Sequence, residues 1–179
     1  MGEVIFSVDA ETVGLYGEHF AIGWSLRSVA TGEEIDHGYE ACSSSNANGD
    51  DDDREWISKN VLPKLPPQTT ADNPSQLYEK FWAIWMDTKK NYDKVHCVAD
   101  CGFPVESRLF ENCVKLDHSK RKFDGPYPLN EVETMLGAAK LDRDSIPLNH
   151  DEILTHHPTH DARRSGRLYY RALKKLQEH

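Results

Sequence analysis

The sequence has no long hydrophobic run, and its apolar stretches are far shorter than the ~20 residues that a membrane-spanning helix needs, so no membrane partner is expected. Residues 1–3 show no basic stretch followed by an apolar core, so we predict no secretory signal and expect a cytoplasmic protein. Cysteine is scarce, and the four thiols are expected to be reduced there. Cys97 and Cys101 do not have the spacing of a zinc-binding pair.

The sequence also lacks an excess of positive charge. Its formal net charge is −9 at pH 7, which argues against binding nucleic acid by charge attraction alone. The acidity is local, because residues 1–60 contain 13 acidic and 3 basic side chains, whereas residues 61–179 contain 17 and 18. An acidic site can still bind a polyanion when divalent cations lie between the two.

Length and composition predict one globular domain over residues 1–179, since 38% of the chain is hydrophobic and 28% is charged. Residues 43–53 are polar and low in complexity, and they end in a run of four aspartates. This composition predicts a mobile acidic loop.

Hydrophobic patterning predicts an α/β protein with a mixed five-stranded sheet. Three short apolar segments joined by tight turns indicate an antiparallel meander, over residues 4–8, 20–27 and 35–41. A β-α-β section follows, with strands predicted over residues 95–99 and 126–129. Amphipathic spacing predicts helices over residues 54–62, 75–90 (with Ser75 as the N-cap), 104–114, 130–139 and 161–176. The first strand is predicted to be central, because both the antiparallel meander and the β-α-β section need it as a neighbour.

The first strand ends in two carboxylates, Asp9 and Glu11. Residues two apart on a strand point to the same side, so these two anions are predicted to face one point. Such a pair is favourable when a divalent cation with oxygen ligands lies between its members. A lone Asp-x-Glu pair is more often a solvated strand end, so the interpretation depends on further carboxylates.

Two more carboxylates and a histidine occupy informative positions. Asp100 follows the buried strand at 95–99, so it should lie near Asp9 if the two strands are neighbours. Asp161 lies in the first turn of the last predicted helix, and His156 precedes it by five residues with Pro158 between them. A histidine with a pKa near 6.5 is a usable general base at neutral pH.

Together these residues resemble the three motifs of the DEDDh family of 3′→5′ exonucleases, in the ribonuclease H-like superfamily. This family includes ribonuclease T, oligoribonuclease and the proofreading subunits of DNA polymerases. Order and spacing match from near residue 6 to near residue 165. The matching residues are Asp9-x-Glu11-Thr12-x-Gly14-Leu15, Asp100 after a buried strand, and His156-x-x-x-x-Asp161-Ala162.

The resemblance implies a ribonuclease H-like sheet with helices on both faces and a hydrolase that releases nucleoside 5′-monophosphates from the 3′ end of single-stranded RNA or DNA. Two divalent cations, Mg²⁺ or Mn²⁺, would be held by Asp9, Glu11, Asp100 and Asp161. The catalytic residues would be His156, as the general base, and Glu11. The terminal nucleotide would contact Thr12, Gly14 and Leu15. The ribonuclease members are frequently dimers, so we expect a homodimer.

The sequence departs from the family in its second motif, which commonly reads Asn-Ala-x-Phe-Asp, whereas Asp100 lies in Cys-Val-Ala-Asp-Cys. Glu106 is a rival carboxylate, expected to be solvated or ion-paired. One alternative function is a catalytically silent ribonuclease H-like domain that binds nucleic acid or protein. A weaker alternative is a zinc protein, built on His150, His156, His157 and His160.

Overall fold

The computed structural model describes residues 2–178 and contains a five-stranded sheet in the order β3-β2-β1-β4-β5. Its strands are β1 Glu3–Thr12, β2 His19–Ser28, β3 Glu34–Ala41, β4 Lys94–Ala99 and β5 Leu129–Glu131. The first three strands pair antiparallel, whereas β1 pairs parallel with β4 and β4 with β5. The predicted mixed sheet with a central first strand is therefore confirmed.

Six α-helices accompany the sheet in the described part of the chain: α1 Asp51–Asn60, α2 Pro74–Asn91, α3 Ser107–Leu116, α4 His118–Arg121, α5 Val132–Ala139 and α6 Pro158–Gln177. A π-helical turn, Gly102–Glu106, leads from β4 into α3. Across residues 2–178, none of the helices combines the length and apolar character that a membrane crossing requires.

Several predicted boundaries are wrong. β5 begins at Leu129, the last residue of the strand predicted over 126–129, and α6 begins at Pro158, three residues before the predicted start. Helix α1 begins at Asp51, inside the loop predicted for residues 43–53, and Asp51–Asp53 occupy its first turn. Carboxylates there are favoured by the positive end of the helix dipole, so an acidic run can begin a helix. The N-cap of α2 is Asn73 and not Ser75, because the Asn73 side chain accepts a hydrogen bond from the Gln76 amide at 3.0 Å.

The two faces of β1 pack against different helices. Val4, Phe6 and Val8 belong to a core cluster with α2 and α3. Ile5 belongs to a second core cluster, which it shares with α5 and α6. The predicted placement of helices on both faces is therefore confirmed, and the odd-numbered side chains of β1, including Asp9, point toward the α6 face.

Two glycines let α6 lie directly on the sheet. A Cβ atom added at Gly23 of β2 would lie 2.1 Å from the Pro158 carbonyl carbon and the Thr159 nitrogen. At Gly166, farther along the helix, a Cβ atom would lie 2.6 Å from the Ser7 hydroxyl oxygen. This close approach brings the first turn of α6 against the end of β1, where the two predicted carboxylates lie.

Candidate metal centre

Three of the predicted carboxylates meet at the end of the central strand. One carboxylate oxygen from each of Asp9, Glu11 and Asp161 lies within 4.8 Å of the others. Asp9 and Glu11 share a face because they are two residues apart on β1, and Asp161 comes from the first turn of α6. All three side chains are partly exposed, so an ion can reach them from solvent.

These carboxylates repel one another. Burial, with the charges of Glu106, Asp161 and Glu11, raises the pKa of Asp9 well above its usual value. Burial and the Asp161 charge raise the pKa of Glu11 to about 8, although Lys64 acts in the opposite direction. Burial raises the pKa of Asp161 to about 6, against the backbone hydrogen bonds of His156 and His157. Without a cation, the cluster therefore retains protons near neutral pH.

Glu106 is a fourth carboxylate near this cluster, although it lies outside the three whose oxygens meet within 4.8 Å, and the expectation that it is solvated or ion-paired is wrong. Its side chain is buried, and no ion pair involves it among residues 2–178. Burial raises its pKa to about 7, although the Ala10 backbone hydrogen bond lowers it. β1 has no strand partner on this side beyond Ser7, which leaves the Ala10 amide to Glu106. The one sequence signal for it was a carboxylate one turn into the segment after β4.

Asp100, predicted as a metal ligand, lies outside the cluster of three. Arg143 binds both of its carboxylate oxygens, one of them at 3.1 Å, and also bonds Glu133. The charge of Asp100 still raises the pKa values of Asp9 and Asp161, so it lies near the cluster. An arginine therefore engages the oxygens that the prediction assigned to a cation.

His156 lies on the loop before α6, and its backbone hydrogen-bonds the Asp161 carboxylate. It has a positive φ of 58°, and its side chain is exposed. The ring meets Trp56 of α1 edge to face, with 5.4 Å between the ring centroids. Partial burial and the charge of Lys64 lower its pKa below the usual 6.5. A lowered pKa favours the neutral ring, which can accept a proton. Trp56 was not foreseen from the sequence.

The predicted substrate contacts follow β1. Thr12 is the last residue of the strand, next to a shift in register between Glu11 and Thr12. Gly14 has a φ of 74°, and a Cβ atom there would lie 1.8 Å from an Asp53 carboxylate oxygen. Leu15 is 58% exposed and lines a cavity of about 510 Å³. Their contact with a nucleotide stays a prediction.

The donor set fits a hard divalent cation. Carboxylate oxygens are the ligands that Mg²⁺ and Mn²⁺ prefer, and a partly open site leaves room for water and phosphate oxygens. The mutual repulsion that raises the pKa values of these groups is the interaction that a bound cation relieves. A zinc site on the histidines is not supported, because the three carboxylates are the only such ligand cluster found in residues 2–178.

Comparison with known proteins gives likeness in structure alone. No family model and no curated protein matches the sequence. The nuclease domain of 3'hExo, described as a DEDDh family member bound to rAMP, matches with a TM-score of 0.51 and 18% identity, over 96% of this chain and 91% of that one. A structure described as 3'-end specific recognition of histone mRNA stem-loop by 3'-exonuclease matches with a TM-score of 0.56 and 15% identity, over 96% of this chain and 81% of that one.

A further solved structure, that of cell-death related nuclease 4 (CRN-4), matches with a TM-score of 0.53 and 13% identity, over 97% of this chain and 64% of that one. At these identities the likeness establishes the fold and not the activity. The strand order is that of the predicted ribonuclease H-like sheet. This chain therefore has the ribonuclease H-like fold of DEDDh-family 3′-exonuclease domains.

Proposed function

We propose that this protein is a metal-dependent 3′→5′ exonuclease that hydrolyses phosphodiester bonds at the 3′ end of single-stranded RNA or DNA and releases nucleoside 5′-monophosphates. The observation that carries the proposal is the meeting of three carboxylate oxygens within 4.8 Å of one another, one of them on Asp161, which the His156 backbone hydrogen-bonds. The shared fold with DEDDh-family exonuclease domains supports it.

Two divalent cations, Mg²⁺ or Mn²⁺, would be held by Asp9, Glu11 and Asp161 together with Glu106. When bound, the cations would stabilise the charge on the attacking and leaving oxygens of the phosphoryl group. We prefer Glu106 to the predicted Asp100 because Glu106 raises the pKa of Asp9 more than the other carboxylates do, whereas Arg143 binds both oxygens of Asp100.

His156 is the proposed general base, which accepts a proton from the attacking water on a ring nitrogen. Its lowered pKa keeps that nitrogen free at neutral pH. The edge-to-face contact with Trp56 limits the orientations of the ring. Glu11 and Asp161 lie together in the carboxylate cluster, where they would orient the reacting groups.

The 3′-terminal nucleoside would bind at the turn after β1. The Asp53 carboxylate lies against Gly14, and the exposed Leu15 beside it offers an apolar surface to the base. Thr12 offers a hydroxyl and an amide to the terminal sugar. The choice between ribose and deoxyribose depends on contacts with the 2′-OH.

The test is a panel of 5′-labelled single-stranded RNA and DNA with a free or a blocked 3′ end, in Mg²⁺ and in EDTA. We expect a ladder that shortens from the 3′ end, only with metal and a free 3′ end. Asp9→Asn should abolish the ladder, while Asp87→Asn, a matched change of an exposed aspartate on α2, should not. Equal degradation of blocked and free ends would rule the proposal out.

The fourth carboxylate has its own test. If Glu106 completes the metal site, Glu106→Gln should lower kcat by about 10²-fold or more. Asp100→Asn should lower it much less and instead lower stability, because it frees Arg143. A larger loss of kcat in Asp100→Asn than in Glu106→Gln would indicate that Asp100, as predicted, is the metal ligand.

A catalytically silent binding module is the second candidate, and the pairing of Asp100 with Arg143 is the observation that favours it. A module that has lost its metal should bind single-stranded oligonucleotides equally well in EDTA and in Mn²⁺. The exonuclease should bind the 3′ end more tightly when Mn²⁺ is present.

A further inference from the structure

A loop on the opposite face of the sheet from α6 exposes two aromatic rings. We define the aromatic loop as residues 122–128, which connect α4 to β5. The ring of Phe123 is 81% exposed and that of Tyr127 is 74% exposed. Two exposed rings on one short loop form an unusual surface in a chain whose remaining aromatic side chains mostly lie in the core.

The aromatic loop is held in place despite the exposure of its rings. Trp85 donates its indole N–H to the Asp124 carbonyl at 2.7 Å, and Lys89 binds the Asp124 carboxylate at 3.0 Å. The Tyr127 hydroxyl donates to the Lys122 carbonyl at 3.1 Å. The two rings are therefore presented on a loop that needs little further ordering to bind a ligand.

Space lies on both sides of the loop. A cavity of about 520 Å³ separates it from α3 and is lined by Ser107, Phe110, Lys115 and Tyr127, among others. A second cavity of about 320 Å³ is lined by both exposed rings together with Trp85. These volumes leave room for flat aromatic groups to stack on the rings.

One basic side chain of the loop is unpaired in the part of the chain that the structure describes. Residues 115–122 contain four basic side chains, of which Lys115, Lys120 and Arg121 form ion pairs with Glu111, Asp117 and Glu79. The Lys122 ammonium lies 5.1 Å from the Phe123 ring centroid and has no carboxylate partner within residues 2–178. Exposed aromatic rings among basic side chains are typical of surfaces that bind single-stranded nucleic acid.

The larger cavity lies along α3, the helix that begins next to Glu106. Ser107, which lines it, directly follows Glu106, and α3 then extends over ten residues toward the loop. At 1.5 Å per residue, the helix covers about 15 Å. A strand whose 3′ end lies at the carboxylates can therefore follow α3 and reach the rings with nucleotides farther upstream.

We propose that the aromatic loop binds upstream nucleotides of the single-stranded substrate, with bases stacked on Phe123 and Tyr127 and a phosphate beside Lys122. This inference rests on the proposed exonuclease function and adds a second binding surface to it. It predicts that affinity increases with oligonucleotide length, and that a dinucleotide gains nothing from the loop because it is too short to reach it.

The test measures binding of a long fluorescent single-stranded oligonucleotide in EDTA, where no cleavage occurs. Phe123→Ala should weaken binding by about tenfold, whereas Phe123→Trp should preserve it because stacking is retained. Lys122→Ala should reduce the slope of log affinity against log salt by about 0.7. Lys174→Ala is the matched control, since Lys174 also lies over a ring, that of Tyr170 on α6.

Hydrolysis of a dinucleotide separates this inference from the proposed function. If the unmodified protein cleaves neither a dinucleotide nor a long oligonucleotide in Mg²⁺, the exonuclease proposal fails, while the binding data still judge the loop. If the long oligonucleotide does not bind, or binds equally well to Phe123→Ala, the loop proposal is overturned and a protein partner becomes the better occupant. Unchanged thermal midpoints in the variants ensure that weaker binding does not reflect unfolding.

Discussion

A single carboxylate and a cluster of three, both on the α6 face of the sheet, are treated in opposite ways. Glu152 is 2% exposed, and Arg167 of α6 donates to it through Nε at 2.6 Å. Asp161 lies more than one turn of α6 before Arg167, in the cluster with Asp9 and Glu11. No arginine or lysine forms an ion pair with these three carboxylates in residues 2–178. The protein supplies its own cation to the first group and leaves the second to a cation from solvent.

The lack of a paired cation explains why the cluster lowers the stability of the fold. A buried carboxylate with a hydrogen-bonded arginine contributes to a defined structure, whereas neighbouring carboxylates without one destabilise the fold unless they are protonated or metal-bound. The raised pKa values of Asp9, Glu11 and Asp161 express this cost. Such strain is common at functional sites, so changes at the two groups should have opposite effects on stability.

The largest expected effect is that of Asp9→Asn, the change that removes the charge at the centre of the cluster. We expect exonuclease activity to fall by about 10³-fold or more, because the site loses one of the carboxylates that would hold the cations. The free energy of unfolding without metal should rise, because repulsion falls. Activity assays and urea denaturation in EDTA measure both, and a variant that is both active and less stable would contradict the account.

The opposite change at the paired group is Glu152→Gln, which leaves the Arg167 charge buried without its partner. We expect the free energy of unfolding to fall by about 3 kcal/mol. Urea denaturation in EDTA measures the loss, and Glu178→Gln, an exposed change at the end of α6, is the control. A gain in stability, as predicted for Asp9→Asn, would remove the distinction between the two groups.

Gly23→Ala tests how the approach of α6 places Asp161. The added methyl group would lie 2.1 Å from the backbone of Pro158 and Thr159 and must push the helix away. We expect about a 10²-fold loss of activity, because small displacements of catalytic groups are costly. Gly137→Ala, in α5 and with no atom within 4 Å of the new methyl group, should leave activity unchanged and add stability.

A further expected effect is on the pH dependence of stability without metal. Glu11 has a folded pKa of about 8 against an ordinary 4.5, so between these values the folded state binds more protons than the unfolded state. Stability in EDTA should therefore fall as pH rises from about 5 to about 8. Saturating Mg²⁺ should remove most of the decline, and a decline that persists in Mg²⁺ would assign it to other groups.

The sequence was sufficient for what depends on local pattern. The alternation along β1 predicted that Asp9 and Glu11 share a side of the sheet, and the central position of β1 followed from the order of the elements. The fourth carboxylate depends on tertiary structure, since Arg143 meets Asp100 across 43 residues and the π-helical turn brings Glu106 to Ala10. Neither contact produces a periodic pattern in the sequence from which it could be predicted. The cytoplasmic location and the homodimer stay predictions.

Titration calorimetry with Mn²⁺ tests the central claim most directly, because it measures whether the unpaired carboxylates bind a divalent cation without reference to any substrate. The account predicts saturable Mn²⁺ binding to the unmodified protein, a strong reduction in Asp9→Asn, and no change in Asp87→Asn. Absence of Mn²⁺ binding, or equal binding by Asp9→Asn, would contradict the claim that these carboxylates form a metal centre.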